Sequence, residues 1–231
     1  MLLLAADTSR KNGSIALARI PSADRSSADV EILEVVPLAG GTFSAQLVPQ
    51  IAALLSKHGF KKEEIGAFAV ASGPGSFTGL RVGLTAIKAL AEVTGNPIAA
   101  VSLLEAVARS GNARGRVIAA LDAGRGEIYT GVYEVSERSV IIREQLLSQE
   151  EFIRAAEGLR VITPSSSVAH LLRNAGIPVE EVDSPRSDII ARLGWKKIHA
   201  GETVSPDELE ANYIRRSDAE IFSKGGTKTH T

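Results

Sequence analysis

The sequence predicts an α/β protein built from two similar domains, and three observations lead there. Two apolar strands, residues 2–6 and 117–121, each run into an aspartate, Asp7 and Asp122, followed by a turn. After each, the pattern repeats one order: three strands, helix, strand, helix, strand, helix. In between, the apolar run 67–70 is broken by Gly73-Pro74-Gly75, beyond which the apolar spacing turns helical. Internal duplication of an α/β unit is itself a signal of fold.

The elements follow in order. In the first half, residues 14–20 alternate as a second strand, with Ile15, Leu17 and Arg19 on one face, and 30–36 form a third. Residues 21–29, small and polar, make a loop. Ser44 is expected to N-cap a helix running to Lys57, with Leu47, Ile51, Leu54 and Leu55 as its apolar face. Pro49, near the first turn, offsets its start or bends it, and Gly59 suits its C-terminal cap. A strand at 98–101 leads to Ser102, which caps a short helix to Arg109. In the second half, strands at 127–135 and 140–146 precede a helix at 150–156. A strand at 161–162, a helix at 167–174, an extended stretch at 178–182 and a helix at 189–199 complete it.

The bulk numbers limit the function classes. A chain of 231 residues fits one large domain or two small ones, and at 44% hydrophobic it can bury a core. Its net charge of −1 supplies no global field for nucleic acid. There is no cysteine, which excludes disulfides and thiolate metal sites and suits a reducing compartment. The apolar start meets Asp7 at once and lacks the basic opening of a signal peptide, and no run approaches the ~20 residues of a membrane span. A cytoplasmic protein without a membrane role is expected.

The helix from Thr78 to Thr94 carries one apolar stripe at Leu80, Leu84, Ile87 and Ala91, and a second at Val82, Ala86, Leu90 and Val93. Gly75, Gly79 and Gly83 recur every fourth residue. Glycine within a helix costs about 1 kcal/mol relative to alanine, so two of them point to a second backbone lying close. The residues alone leave two readings. A glycine-rich turn opening a helix can hold phosphate, or it can serve tight packing. The stretch has neither the Lys-Ser/Thr of a P-loop nor a dinucleotide fingerprint, which favours packing.

The run Gly73-Pro74-Gly75-Ser76-Phe77-Thr78-Gly79-Leu80-Arg81-Val82-Gly83 resembles the signature of the bacterial TsaB (YeaZ) family. Ala6-Asp7-Thr8-Ser9, Val101-Ser102-Leu103-Leu104-Glu105-Ala106 and Asn212-Tyr213-Ile214-Arg215 extend the likeness over nearly the whole chain, most weakly between residues 136 and 205. The resemblance implies the duplicated ribonuclease-H-like fold of the actin-like/Hsp70-like ATPases (the ASKHA fold). It also implies a domain at 1–102, a second, degenerate one at 103–205, residues 206–222 returning to the first, and a frayed tail at 223–231. The implied role is a non-catalytic scaffold and activator in threonylcarbamoylation of tRNA adenosine. The implied partners are a TsaD-type catalytic subunit and the ATPase TsaE, with a homodimer in TsaD's absence, tRNA reached only through the complex, and L-threonylcarbamoyl-adenylate as donor.

In actin-like ATPases an aspartate ending the first strand of each domain helps to hold Mg²⁺-nucleotide, so Asp7, Thr8, Asp122 and Gly124 are candidates for weak or shared ATP or ADP. The same aspartates equally suit strand ends that organise turns through backbone hydrogen bonds. Arg10-Lys11-Asn12-Gly13 lacks the glycine-rich phosphate hairpin of those ATPases, and Arg125 occupies the second turn. TsaD-type relatives carry Asn-His-Leu-Glu-Gly-His after the strand that follows the Gly-Pro-Gly helix, with both His residues on a metal. Here Leu103 and Val107 stand at the two ligand positions, and neither can coordinate a metal. The four His residues are scattered. Family members often have His-Ser where Phe43-Ser44 stands, which puts an aromatic near the expected interface.

No cofactor, metal or catalytic residue is therefore expected. The partner interface is expected on two neighbouring helices, at Leu47, Ile51, Leu54, Phe77, Thr78, Gly79, Arg81, Gly83, Leu84, Ile87 and Lys88. The alternative is an independent small-molecule kinase of this fold, with Asp7, Thr8, Asp122 and Gly124 around the nucleotide. A metalloprotease is opposed by Leu103 and Val107.

Overall fold

The computed structural model describes residues 1–21, 30–136 and 139–215. Most of the loop expected at 21–29, residues 216–222 of the returning segment, and the tail at 223–231 lie outside the described residues. The first half contains β1 (Leu2–Asp7), β2 (Gly13–Arg19), β3 (Glu31–Leu38), α1 (Phe43–Lys57), β4 (Ile65–Gly73), α2 (Phe77–Thr94), β5 (Ile98–Ser102) and α3 (Leu103–Ser110). The second contains β6 (Gly115–Gly124), β7 (Glu127–Val135), β8 (Ser139–Ser148), α4 (Gln149–Ala156), β9 (Arg160–Thr163), α5 (Ser166–Asn174), β10 (Val179–Glu181) and α6 (Ser187–His199).

The duplication is real at the level of topology. One sheet runs β3-β2-β1-β4-β5 and the other β10-β9-β6-β7-β8. In each, the first strand of the half is central, antiparallel to the strand after it and parallel to the fourth. The architecture is the expected two-domain actin-like α/β fold.

Side-chain alternation along the central strands sorts the core into layers. Leu2, Leu4 and Ala6 of β1 join Phe68 and Val70 of β4 in a cluster with Leu47, Ile51 and Leu54 of α1 and Leu80, Leu84 and Ile87 of α2. The opposite faces, Leu3 and Ala5 with Ala67, Ala69 and Ala71, meet α3, α6 and the inner face of the second sheet. Ile118 and Ala120 of β6 point away from that layer, into a cluster with Phe152 of α4 and Val168 and Leu172 of α5. The order is thus α1/α2, sheet, α3/α6, sheet, α4/α5.

The alanine-rich inner face of β4 has a purpose. Gly194 of α6 lies against Ala69 and Ala99, where a Cβ would overlap the Ala69 Cβ. Small residues on both sides let the helix settle onto the sheet. α6, in the stretch assigned from sequence to the second domain, therefore packs on β1, β2, β4 and β5 of the first. Beyond it the chain runs back along that domain: Val204 bridges to Ile98, Leu209 is buried in the α1/α2 cluster, and the Asn212 N–H donates to the Ser72 carbonyl at 2.7 Å.

Three local readings need correction. α1 starts at Phe43, with Thr42 rather than Ser44 at the N-cap position and no side-chain cap. Phe43 does not face an interface. It is buried in the first core, its ring at the place where a Cβ on Gly13 would sit, and that burial draws the helix start forward. Pro49 lies inside the helix, on the exposed side. The α1 C-terminus is as expected: Gly59 takes φ +75°, and the N–H groups of Gly59 and Phe60 close on the Ser56 and Leu55 carbonyls.

Candidate functional site

The second backbone that the glycines of α2 admit is the turn after β1. A Cβ on Gly79 would overlap the Thr8 carbonyl oxygen, one on Gly83 the Thr8 hydroxyl, and one on Gly75 the Ser9 carbonyl oxygen. In place of side chains there are hydrogen bonds. The Thr8 hydroxyl donates to the Gly79 carbonyl at 2.7 Å, and the Ser76 N–H donates to the Ser9 carbonyl at 2.7 Å. Ser76 caps α2 by accepting from the Gly79 N–H.

Asp7 is 1% exposed at the end of β1. Its Oδ1 accepts the Ser9 N–H at 2.8 Å and the Ser9 hydroxyl at 2.5 Å. Its Oδ2 pairs with Arg10 at 3.3 Å, and the same guanidinium donates to the Pro185 carbonyl just before α6. Ser14 and Ser187 bind each other beside it through side chain and backbone.

Asp122 holds the matching place in the second half but is exposed. Oδ1 accepts the Gly124 N–H at 2.7 Å and Oδ2 the Ser167 hydroxyl at 2.8 Å. Gly124 pairs across the ladder with Glu127, so Arg125 and Gly126 form a two-residue hairpin turn with φ of +58° and +76°. That is the geometry of a type I′ turn.

Both carboxylates already hold partners. A Mg²⁺-nucleotide at Asp7 would have to displace Arg10 and Ser9, and at Asp122 it would have to displace Gly124 and Ser167. Asp7 and Thr8 are committed to joining β1 to α2, while Asp122 and Gly124 shape a hairpin.

Two clefts flank the domain junction at opposite ends of the β6–β7 ladder. One, of about 520 Å³, is lined by Pro74, Gly75, Phe77, Arg125, Tyr213 and Arg215 among others. The other, of about 870 Å³, opens where α3, α6 and the end of β7 meet. Beside it Glu105, almost fully buried, accepts the Ser139 hydroxyl at 2.5 Å and faces Lys197 at 3.3 Å. Leu103 and Val107 are both 0% exposed within the layer between the sheets.

The expected interface residues divide. Leu47, Ile51, Leu54, Gly79, Gly83, Leu84 and Ile87 are buried in the chain's own first domain. They face the sheet or Thr8, because the stripe that the sequence makes most apolar is the one the sheet takes. They supply no contact surface, and substitutions there test folding. Phe77, Thr78 and Arg81 are exposed and Lys88 is half-buried. The outer face is completed by Val48, 56% exposed, and Val93, 72% exposed.

The exposed residues at the start of α2 form a cluster with the returning segment. The Arg81 guanidinium lies 3.7 Å from the Phe77 ring centre, its Nε donates to the Tyr213 hydroxyl at 3.2 Å, and the two rings are 5.2 Å apart. Sequence reading missed Arg10, Glu144 and Lys197. Each makes a contact across a long stretch of chain, Arg10 to the Pro185 carbonyl, Glu144 to Asn212 and Lys197 to Glu105, that no local spacing marks.

Comparison with known proteins agrees with this architecture. A family model described as TsaD, tRNA N6-adenosine threonylcarbamoyltransferase, matches residues 35–187. The tRNA threonylcarbamoyladenosine biosynthesis protein TsaB of Bacillus subtilis is 30% identical, covering 95% of this chain and 96% of the relative. The Escherichia coli protein of the same name is 25% identical over the same shares. The solved structure of YeaZ from Pseudomonas aeruginosa superposes with a TM-score of 0.73 at 24% identity, covering 92% of this chain and 99% of that one, a likeness of fold. With a matched relative over nearly its full length and the same duplicated fold, this chain belongs to the TsaB (YeaZ) family.

Proposed function

We propose that this chain is a non-catalytic subunit in the synthesis of tRNA threonylcarbamoyladenosine in the cytoplasm, acting as scaffold and activator for a TsaD-type catalytic subunit, with TsaE as the associated ATPase. The observation that carries this reading is the fate of Leu103 and Val107. Where a TsaD-type enzyme places its metal-binding histidines, this chain seals two aliphatic side chains into the core. Burying them stabilises the junction of the two domains by roughly 1.5–3 kcal/mol each and leaves no donor there for a metal. The name TsaB, carried by the Bacillus subtilis and Escherichia coli relatives, supports the pathway.

The docking face in this reading is the outer side of α1 and α2, where Val48, Phe77 and Val93 are exposed. Exposed apolar residues on neighbouring helices suit a partner. A TsaD-type subunit, having a related fold, would present a similar helix pair, and a second copy of this chain would compete for the same face as an isologous dimer.

Sedimentation of the chain alone and with a TsaD-type subunit tests this. Val48→Asp and Val93→Asp should each weaken both associations at least tenfold without altering the circular dichroism spectrum. A folded variant that loses one association and fully keeps the other overturns the shared face. Measurable threonylcarbamoyl transfer by this chain without a TsaD-type subunit overturns the non-catalytic reading.

A further inference from the structure

Glu144 of β8 sits at the meeting point of three segments that are far apart in sequence. Its Oε1 accepts from the Ser102 hydroxyl, at the junction of β5 and α3, and from the Tyr133 hydroxyl of β7. Its Oε2 accepts from the Asn212 side-chain amide at 2.5 Å. Tyr133 is fully buried, and burial first, with the Glu144 charge next, holds its phenol protonated far above the ordinary range, so it remains a donor. Ser102 also accepts the Leu104 N–H and so starts α3.

Asn212 is gripped from the other side as well. Its N–H donates to the Ser72 carbonyl at the end of β4, and its carbonyl oxygen packs against Gly73, 3.0 Å from where a Cβ would stand. The residue therefore spans the two domains: first-domain backbone on one side, a second-domain carboxylate on the other. The next residue is Tyr213, which is 40% exposed and completes the cluster with Phe77 and Arg81 at the start of α2.

We infer that Glu144 is a positioning residue for partner docking: by holding Asn212 it fixes Tyr213 against Phe77 and Arg81, so that the second domain sets part of the surface which the first presents to the TsaD-type subunit. This rests on the docking reading above. Tyrosine and arginine in a rigid, half-exposed cluster are the residue types that dominate interface energetics. Their ordering before the encounter removes an entropic cost from binding.

The test reverses the polarity of one hydrogen bond. Glu144→Gln keeps the size and one acceptor but turns a donor toward the Asn212 amide, itself a donor. Amide exchange at residues 211–213 of the free chain should accelerate at least tenfold, and affinity for a TsaD-type subunit should fall at least fivefold. Adding Asn212→Asp gives the new amide an acceptor and should restore both, a rescue that a general loss of packing would not show. Tyr213→Ala should weaken association by a similar factor while exchange at 211 and 212 stays slow and folding is retained. Unchanged exchange in the Glu144→Gln chain, or failure of the double substitution to restore either readout, overturns the inference. Absence of association by the unsubstituted chain overturns the docking reading and this inference with it. Full association by the folded Tyr213→Ala chain overturns the inference alone.

Discussion

The turns after β1 and β6 hold matching places in the two sheets and do different work. Asp7-Thr8-Ser9 is buried, every polar side chain in it is bonded, and it lies in a trough made by the glycines of α2. Asp122-Ala123-Gly124 is open to solvent and ends in a type I′ hairpin whose first residue is an arginine with no bonding partner among the described residues. The aspartates share a position in the fold and a habit of binding the N–H two residues on. Their difference lies in what packs against them. A helix with no side chains along one strip buries the first turn, whereas the second stays exposed with Asp122 bound to Gly124 and to Ser167 of α5. Whether a strand-end aspartate is buried or exposed is thus decided by the facing element, not by the residues around it.

The largest expected effect breaks the trough. Gly79→Ala puts a Cβ into the Thr8 carbonyl oxygen, backbone against backbone with little room to yield. The clash should outweigh the ~1 kcal/mol gain in helix propensity and leave a net loss of about 2 kcal/mol or more. In the other turn, Gly124→Ala meets no atom within 4 Å and pays only for its φ of +71°, about 1 kcal/mol. Urea unfolding of both variants decides it. Equal losses would mean that the trough accommodates a methyl group and the glycines are not there for Thr8.

The two aspartates should separate next. Asp7→Asn keeps one oxygen for the Ser9 donors but turns an amide donor toward the Arg10 guanidinium in a buried place, at a cost of about 2 kcal/mol. Asp122→Asn acts in an exposed turn and should stay near 0.5 kcal/mol. The same variants bear on nucleotide. If Asp7 is structural, calorimetry with ATP should give the same weak or absent signal for the unsubstituted chain and for Asp122→Asn. Micromolar binding abolished by Asp7→Asn would restore the kinase alternative.

Much of this was legible in the sequence and some was not, for physical reasons. The periodicity located nearly every strand and helix, because burial on one or both faces writes itself into local spacing. The glycine recurrence even announced a close backbone. It did not say whose, since Thr8 is distant in sequence and nothing local links them. The apolar stripes of α1 and α2 were read correctly as apolar, but Leu47, Ile51, Leu54, Leu84 and Ile87, read as docking residues, are taken by the chain's own first domain. A stripe records that a face is covered, and only the fold shows that the sheet already covers it. Glu144 gave no signal, and Asn212 stood only as part of the Asn212-Tyr213-Ile214-Arg215 run: that the two meet is written nowhere locally.

A smaller effect sharpens the contrast at the hairpin. Arg125 holds φ of +58°, a region that most side chains avoid. Arg125→Asn keeps a polar residue and suits the first position of a type I′ turn, so it should stabilise by about 0.5 kcal/mol. Thermal unfolding would show a small rise in midpoint. A fall would mean that the arginine is held by contacts in the cleft it lines, and that the second turn is less free than its exposure implies.

The smallest effect separates the halves by the means each uses to hold a surface carboxylate. Glu34 of β3 is bound by Lys57 at 2.7 Å and His58 at 2.8 Å, and its pKa lies below 4.5 chiefly through the Lys57 hydrogen bond, then that of His58. Glu151 of α4 is bound by the Ser148 N–H at 2.9 Å and hydroxyl at 2.8 Å in a capping box. Its pKa is likewise lowered, first by the backbone donor and then by the hydroxyl. For both groups the folded value lies below the unfolded one. The stabilisation is therefore fully present above pH ~4.5 and lost as pH falls through each folded value. Salt should tell them apart. Raising ionic strength from about 0.1 M to about 1 M shortens the screening length from roughly 10 Å to roughly 3 Å, which weakens attraction to a cation but not a hydrogen bond from a neutral donor. Carboxyl-carbon titrations by NMR should show Glu34 moving back toward 4.5 in high salt while Glu151 stays put. If Glu34 holds its low value in 1 M salt, its clamp on α1 is geometric rather than ionic, and the two halves fasten their outer helices by the same means.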